Sequence, residues 1–188
     1  DLPGAENTFK HALDLDPNYS TAHLWYGWLL FNKERMDEGL FEYKRAQELD
    51  PLSLVINFHV AWGYYFRSEY EKAIEQCKKV LEIDPNFATV HAVLGAVYVQ
   101  KSLYDAAIEE FQKAMDFSGG RSMHLAELGY AYALAGKTEQ AHKILEELQK
   151  LSKQKYTDAC DIAMVYVGLG EIDRAFLWLE EAFEERAF

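Results

Sequence analysis

Apolar and small residues recur along the chain at a fixed spacing of 34 residues. In the stretch from Ala88 to Asp116, two short helical patterns follow one another, each with its own apolar stripe. A small residue lies on the first helix of every period, at Gly27, Ala61, Gly95, Gly129 and Ala163. A second small residue opens the following helix, at Gly39, Ala73, Ala107, Ala141 and Ala175. Matches at one spacing without an insertion indicate an array of helix–turn–helix repeats.

Proline and acidic residues mark where these helices end and begin. Pro17, Pro51 and Pro85 each follow an aspartate and end a helix, because proline lacks the N–H group that a helix needs. An acidic residue near the start of each second helix is stabilised by the helix dipole, at Asp37, Glu71, Asp105, Glu139 and Asp173. Gly119-Gly120 is predicted to form a turn in place of the missing proline. The pattern predicts an unpaired second helix and turn at 1–19 and full repeats at 20–53, 54–87, 88–121, 122–155 and 156–188.

The chain resembles the tetratricopeptide repeat (TPR) family, whose repeat is a helix pair of this length. The third full repeat carries the family's residues at Leu94, Gly95, Tyr98, Ala107, Phe111 and Ala114. The resemblance implies an all-α, right-handed superhelical solenoid of antiparallel helix pairs. It implies five full repeats and one N-terminal half repeat, in a single array over residues 1–188. It also implies that the first helices line the concave side and the second helices the convex side.

Composition and charge narrow the choice of partners. Hydrophobic residues make up 49% of the chain, which is enough to bury a continuous seam. The net charge of −12 opposes direct binding to nucleic acid, which requires a basic surface, and favours basic or neutral partners. The apolar run from Leu24 to Phe31 is too short for membrane insertion, which takes about 20 residues.

Cysteine usage and the first residue suggest the context of the chain. Cys77 and Cys160 fall on buried-side positions of distant repeats and are predicted to be thiols. Thiols suit a reducing compartment, so we expect a cytoplasmic protein. The chain begins at Asp1 in the middle of a repeat, and we expect it to be part of a longer protein.

No motif for catalysis is visible in the sequence. It contains no glycine-rich phosphate loop, no paired-cysteine metal spacing and no nucleophile motif with its base. His23 and His91 occupy the same position of two repeats and are predicted to be packing residues. We therefore expect no catalytic residues, no metal site, no cofactor and no enzymatic activity.

The predicted concave surface is the informative feature. Helix phase places one aliphatic, several aromatic and three polar side chains there, at Leu24, Trp25, Trp28, Phe31, Asn32, Phe58, His59, Trp62, Tyr65, Phe66 and Gln100. A contiguous exposed apolar patch usually marks a partner site, and Trp and Tyr are favoured anchors. We predict a non-enzymatic scaffold that binds a protein or peptide, as an extended segment or a helix, in this groove. Asn32, His59 and Gln100 are predicted to supply polar contacts. An alternative for Trp25, Trp28 and Trp62 is that they pack between helices.

Other functions remain open at this point. One TPR subgroup binds the acidic tails of chaperones with Lys, Asn and Arg on the first helices, but the equivalent positions here include Leu24, Trp28 and His59, so that activity is not expected. The run from Tyr156 to Arg186 is similar to the last repeat of TPR regions in multidomain bacterial regulators. The alternative function is therefore a regulatory module that packs on its own effector domain. Uncapped terminal helices also predict a possible homo-oligomer.

Overall fold

The computed structural model describes residues 2–154 and 158–186, and every regular element in those ranges is an α-helix. The chain forms two compact units, 1–93 and 94–188, which are described separately. The first contains α1 (Leu2–Leu15), α2 (Ser20–Asn32), α3 (Met36–Leu49), α4 (Leu54–Phe66) and α5 (Tyr70–Ile83). Helix α6 (Ala88–Gln100) crosses the boundary, and the second unit continues with α7 (Tyr104–Ser118), α8 (Ser122–Leu134), α9 (Thr138–Ser152), α10 (Ala159–Leu169) and α11 (Ile172–Arg186).

The all-α helical repeat predicted from the sequence is confirmed. Helices α2, α4, α6 and α8 begin at the residues where the sequence pattern places them. The fifth repeat differs, because α10 begins at Ala159, whereas the predicted start at Tyr156 lies outside the described residues. Gly119 and Gly120 form the predicted turn, both with positive φ, between α7 and α8.

Within each unit, helices that follow one another in the chain pack together. In the first unit α2 contacts both α3 and α4, and Leu24, Tyr43, Ile56 and Val60 belong to the apolar core there. In the second unit α8 contacts α7, α9 and α10, around a core that includes Leu128. The first helix of each pair is thus covered on more than one side.

The second helices keep a solvated face with ion pairs between turns. Lys79 lies 2.8 Å from Glu75, and Lys143 lies 2.9 Å from Glu139, as expected for residues four apart. Lys113 lies 2.7 Å from Glu110, three residues before it on α7. Such exposed pairs contribute only a few tenths of a kcal/mol each.

Glycine allows the helices of the first pair to approach closely. A side chain added at Gly27 would lie 2.6 Å from the ring of Tyr43 and 2.9 Å from the backbone oxygen of Gly39. At Gly39 it would lie 2.5 Å from the ring of Phe31. The two rings stack on each other with centroids 5.1 Å apart. Aromatic rings therefore occupy the space that a β-carbon would fill, which explains why Gly39 replaces the alanine of the other repeats.

A buried polar side chain fastens the preceding Asp-Pro turn in three successive repeats. His23 Nε2 donates to the carbonyl of Pro17 at 3.0 Å, and His91 Nε2 donates to that of Pro85 at 3.0 Å. Between them Asn57 Nδ2 donates to the carbonyl of Pro51 at 2.9 Å. The histidines are thus buried packing residues, as predicted, with a hydrogen-bonding role that the intervening Asn57 shares. In the next repeat this position is Leu125, and the turn is Gly119-Gly120 without proline.

The carboxamide of Asn57 is fully used. Its oxygen accepts from Gln47 Nε2 at 2.6 Å and from Gln76 Nε2 at 2.7 Å, and its nitrogen also donates to the carbonyl of Ser53. A buried polar group is tolerated only when its hydrogen bonds are made.

The turn inside each repeat adopts one conformation in all five cases. Its key residue has positive φ and recurs every 34 residues, at Glu34, Ser68, Ser102, Gly136 and Gly170. Residues with a β-carbon are strained in this left-handed region, by roughly 1–2 kcal/mol, whereas glycine is not. The first three repeats therefore retain strain that the last two avoid.

Replacing Asn57 with leucine should destabilise the chain by about 2–3 kcal/mol, because the buried partners of its carboxamide lose their hydrogen bonds. Urea unfolding followed by circular dichroism measures this loss. Asn57→His is the matched control, since histidine makes the same bond at positions 23 and 91, and it should lose clearly less. Equal losses for both variants would contradict the role of the hydrogen bond to Pro51.

Exchanging the residue types of two equivalent turns should change stability in opposite directions. Ser68→Gly relieves left-handed strain and should stabilise the chain by about 0.5–1 kcal/mol, and Gly136→Ser should destabilise it by about 1 kcal/mol or more. Thermal unfolding of the two variants gives the comparison. Changes of the same sign in both would show that side-chain contacts, and not backbone strain, dominate at this position.

Candidate functional site

Two helices without any charged side chain form the candidate site. Neither α2 nor α4 contains Asp, Glu, Lys or Arg, and both are rich in aromatic residues. Positions three and four apart share one face of a helix, so Trp25 and Trp28 lie together on α2 and Phe58, Trp62 and Phe66 on α4. Both helices belong to the first unit, and they contact each other.

The rings of these helices form one continuous surface, which we call the aromatic surface. Its members are Trp25, Trp28, Phe31, Phe58, Trp62, Tyr65 and Phe66. Trp62 stacks on Tyr65 at a centroid distance of 4.9 Å and meets Phe66 edge to face at 5.0 Å. Trp25 meets Trp28 edge to face at 6.4 Å. These separations are those of favourable aromatic pairs, so each ring restrains its neighbours.

The aromatic surface is accessible at its centre. Trp25 and Trp28 expose 43% and 49% of their surface, and Phe66 is exposed to a similar extent. Phe58, Trp62 and Tyr65 are half-buried. Trp25 packs against His59 of α4 on one side, but both Trp25 and Trp28 keep close to half of their surface exposed.

A cavity of about 300 Å³ opens within the aromatic surface. Its lining is aromatic apart from one methionine and one amide, and consists of Trp28, Phe31, Asn32, Met36, Tyr43, Trp62 and Phe66. Asn32 Nδ2 donates to the backbone oxygen of Trp28 at 2.8 Å, so its amide nitrogen is held by its own helix. A cavity of this size, with apolar walls and one oriented polar group, suits a large apolar side chain of a ligand.

Buried groups support the surface from below. Tyr43 is fully buried on α3, and burial raises the pKa of its phenol well above the ordinary value. The His59 ring lies 5.3 Å from that of Tyr43 and 6.1 Å from that of Trp25. Its Nδ1 donates to the carbonyl of Val55 at 2.8 Å. Burial lowers the pKa of His59, and the hydrogen bond to Val55 opposes this shift without cancelling it.

Two predicted site residues, Leu24 and His59, are buried, and a third, Gln100, lies in the other unit. Leu24 exposes only 5% of its surface and belongs to the core with Leu40 and Ile56, because α4 crosses α2 at this point. His59 is buried beneath Trp25, so it supports the surface and offers a ligand no polar contact. Gln100 is exposed at the end of α6 in the other unit, and its role remains a prediction.

Sequence reasoning missed two residues of the cavity, Met36 and Tyr43. Both lie on α3, a second helix, which was assigned to the opposite side of the repeat. The sequence signal that could have found Tyr43 is the pair Gly27 and Gly39. Glycines at a helix crossing leave room for a neighbouring ring, and the ring of Tyr43 occupies that room.

The described helices and side chains also bear on membrane and metal binding. None of the helices in the described ranges combines the length and apolar content needed to cross a bilayer. Among the same residues, no group of three or more His, Cys, Asp or Glu side chains is placed to hold a metal ion.

A repeat of paired helices, stacked through small residues and presenting an uncharged face, defines a helical repeat protein. Models described as tetratricopeptide repeat match residues 1–53 and 88–119, and one described as TPR repeat matches residues 64–102. The chain belongs to the tetratricopeptide repeat family. Repeats of this family typically mediate protein–protein interactions as non-enzymatic scaffolds. No curated protein sequence matches the chain significantly.

Solved structures of TPR proteins share the fold at low sequence identity. A thermophilic TPR protein of Thermus thermophilus is 21% identical, with a TM-score of 0.73 over 88% of this chain and 90% of that one. MamA is 22% identical, with a TM-score of 0.68 over 82% of this chain and 91% of that one. YrrB, described as a TPR protein with an unusual peptide-binding site, is 18% identical, with a TM-score of 0.57 over 94% of this chain and 91% of that one.

The buried His59 should make folding stability depend on pH. The unfolded chain takes up a proton near the ordinary pKa of 6.5, whereas folded His59 resists it. Stability is therefore fully present above pH 6.5 and is lost as the pH falls towards the lower folded pKa, with a slope of at most about 1.4 kcal/mol per pH unit. Urea unfolding at pH 7.5 and at lower pH measures the slope.

His59→Leu is the appropriate comparison, because leucine has a similar volume and does not titrate. The variant should lose less stability than the parent chain as the pH falls through 6.5. Parallel pH profiles for the two proteins would show that His59 is protonated equally in both states.

Proposed function

We propose that the chain is a scaffold that binds a peptide or helix of a partner protein across the aromatic surface. Trp25, Trp28, Trp62 and Phe66 are the anchors, and the cavity beside Trp28 accepts one large apolar side chain of the ligand. Asn32 lies at the cavity and offers its amide oxygen to the ligand backbone. Of the two polar contacts expected in the first unit, from Asn32 and His59, the proposal keeps only that of Asn32.

The observation that carries this proposal is the exposure of Trp25 and Trp28 in a contiguous aromatic patch. Large exposed apolar rings cost free energy in water unless a partner covers them, and tryptophan and tyrosine dominate binding energy where they anchor interfaces. The rings restrain one another, so little side-chain entropy is lost when a ligand binds. The absence of charge on α2 and α4 favours ligand segments that are uncharged where they touch the surface.

The test begins with peptides selected from a random display library against the whole chain. Their affinities are measured by isothermal titration calorimetry, and we expect dissociation constants in the micromolar range, equivalent to about −8 kcal/mol. The double variant Trp28→Ala/Trp62→Ala should weaken binding at least about tenfold, because it removes two anchors from the centre of the interface.

Phe41→Ala is the control, since Phe41 is exposed on α3 and does not belong to the aromatic surface. This variant should bind the same peptides with unchanged affinity, and circular dichroism should show equal helix content in all three proteins. Peptides that bind the double variant as tightly as the parent chain would refute the aromatic surface as the binding site.

A further inference from the structure

The last helix carries an apolar stripe that the described part of the chain leaves uncovered. Phe176, Leu179 and Phe183 share one face of α11 because they are three and four residues apart. All three are exposed. Together with Glu180 and Glu184 they line an open cavity of about 320 Å³. Ala175 and Trp178 of the same helix pack into the core of the second unit, so α11 is anchored on its other side.

The repeat register shows that the central residue of this stripe, Leu179, occupies a position that is buried in every earlier repeat. Leu179 exposes 41% of its surface, whereas the residues at the same position of the earlier repeats expose 3% or less. Those residues are Tyr43, Cys77, Phe111 and Leu145. Leu40, which corresponds to Phe176, is buried in the first unit against Ile56 and Val60 of α4, whereas His142, at the same position of the fourth repeat, is exposed. The centre of this helix face therefore packs against other helices in the earlier repeats and is exposed on α11.

The margin of the stripe is negatively charged. Glu180 and Glu184 line the cavity, and neither forms an ion pair with a side chain that the structure describes in 4–154 and 158–184. Some carboxylates on the outer faces of other second helices have lysine partners, as Glu75 has Lys79 and Glu139 has Lys143. The α11 face thus combines an apolar centre with uncompensated negative charge at its edge.

We propose that this face binds an amphipathic helix of another protein, whose apolar stripe is bordered by Lys or Arg. Apolar side chains of the partner cover Phe176, Leu179 and Phe183, and its cations neutralise Glu180 and Glu184. Charge complementarity of this kind selects the partner and accelerates association. A second copy of α11 fits less well, because a symmetric pair brings Glu180 and Glu184 of both copies together. The site lies in the second unit, and its proposal does not depend on the aromatic surface.

The test uses two synthetic helical peptides that share the same leucine stripe and differ only in the flanking residues, which are lysine in one and glutamate in the other. Binding to the whole chain is measured by fluorescence anisotropy at low and high salt. We expect the lysine peptide to bind at least about tenfold more tightly than the glutamate peptide, with the preference reduced at high salt. The variant Phe176→Ala/Phe183→Ala should bind the lysine peptide at least about tenfold more weakly than the parent chain does.

Two variants show which part of the surface is used. Glu180→Gln/Glu184→Gln should reduce the preference for lysine while keeping the apolar contact. Trp28→Ala/Trp62→Ala should bind the lysine peptide normally, because it alters only the aromatic surface. If Trp28→Ala/Trp62→Ala no longer binds the peptides selected from the display library, that loss concerns the aromatic surface alone and leaves the α11 proposal unaffected.

Three results would overturn the proposal. Equal binding of both peptides would show that charge does not select the partner. Binding of the lysine peptide that Phe176→Ala/Phe183→Ala leaves unchanged would show general attraction to an acidic protein. A mass in light scattering that doubles with concentration and returns to that of one chain in Phe176→Ala/Phe183→Ala would show that a second copy occupies the face.

Discussion

The close approach of α2 and α3 at Gly27 and Gly39 is the constraint on which the candidate site depends. Because neither glycine has a side chain, the rings of Tyr43 and Phe31 occupy the crossing and stack on each other. Tyr43 is thereby buried under α4, where its ring supports His59, and His59 in turn supports Trp25. Phe31 is turned towards the cavity and meets Phe66. A substitution at Gly27 would therefore displace Tyr43 and act on the exposed tryptophans through a chain of packed rings, without touching the tryptophans themselves.

The two apolar surfaces of this chain differ in the chemistry that surrounds them. The aromatic surface is built from rigid, mutually stacked rings on helices without charge, which suits a ligand recognised by shape and apolar contact. The α11 face is built from separate side chains next to carboxylates, which suits a ligand recognised by charge as well. The two proposed sites would let one scaffold discriminate between two classes of partner. The charge of a strongly basic segment would add nothing to binding at the aromatic surface, and an uncharged segment would bind the α11 face more weakly than a basic one.

Much of the fold could be predicted from the sequence because its spacing is constant. A small residue every 34 positions and an acidic residue at Asp37 and its equivalents were enough to place the starts of α2, α4, α6 and α8. The candidate site was harder to predict. Helix phase alone identified Trp25 and Trp28 as outward-facing, but it could not show that α4 covers Leu24 or that Tyr43 reaches the cavity from α3, since both depend on contacts between helices. The left-handed turns at Glu34 and Ser68 had no sequence signal, because the usual glycine is absent there.

The hydrogen bond from His23, Asn57 and His91 to a proline carbonyl always spans six residues of the chain. Because this hydrogen bond joins residues that are always six apart, it fixes the length of the connection between one helix pair and the next in these three repeats. Leu125 has no such bond to make, and the connection before it is a pair of glycines that needs no partner. Insertion of extra residues should therefore be tolerated at Gly119-Gly120 and rejected at the Asp-Pro turns. Among these four connections, Gly119-Gly120 is the one where a longer natural or engineered loop should be accommodated.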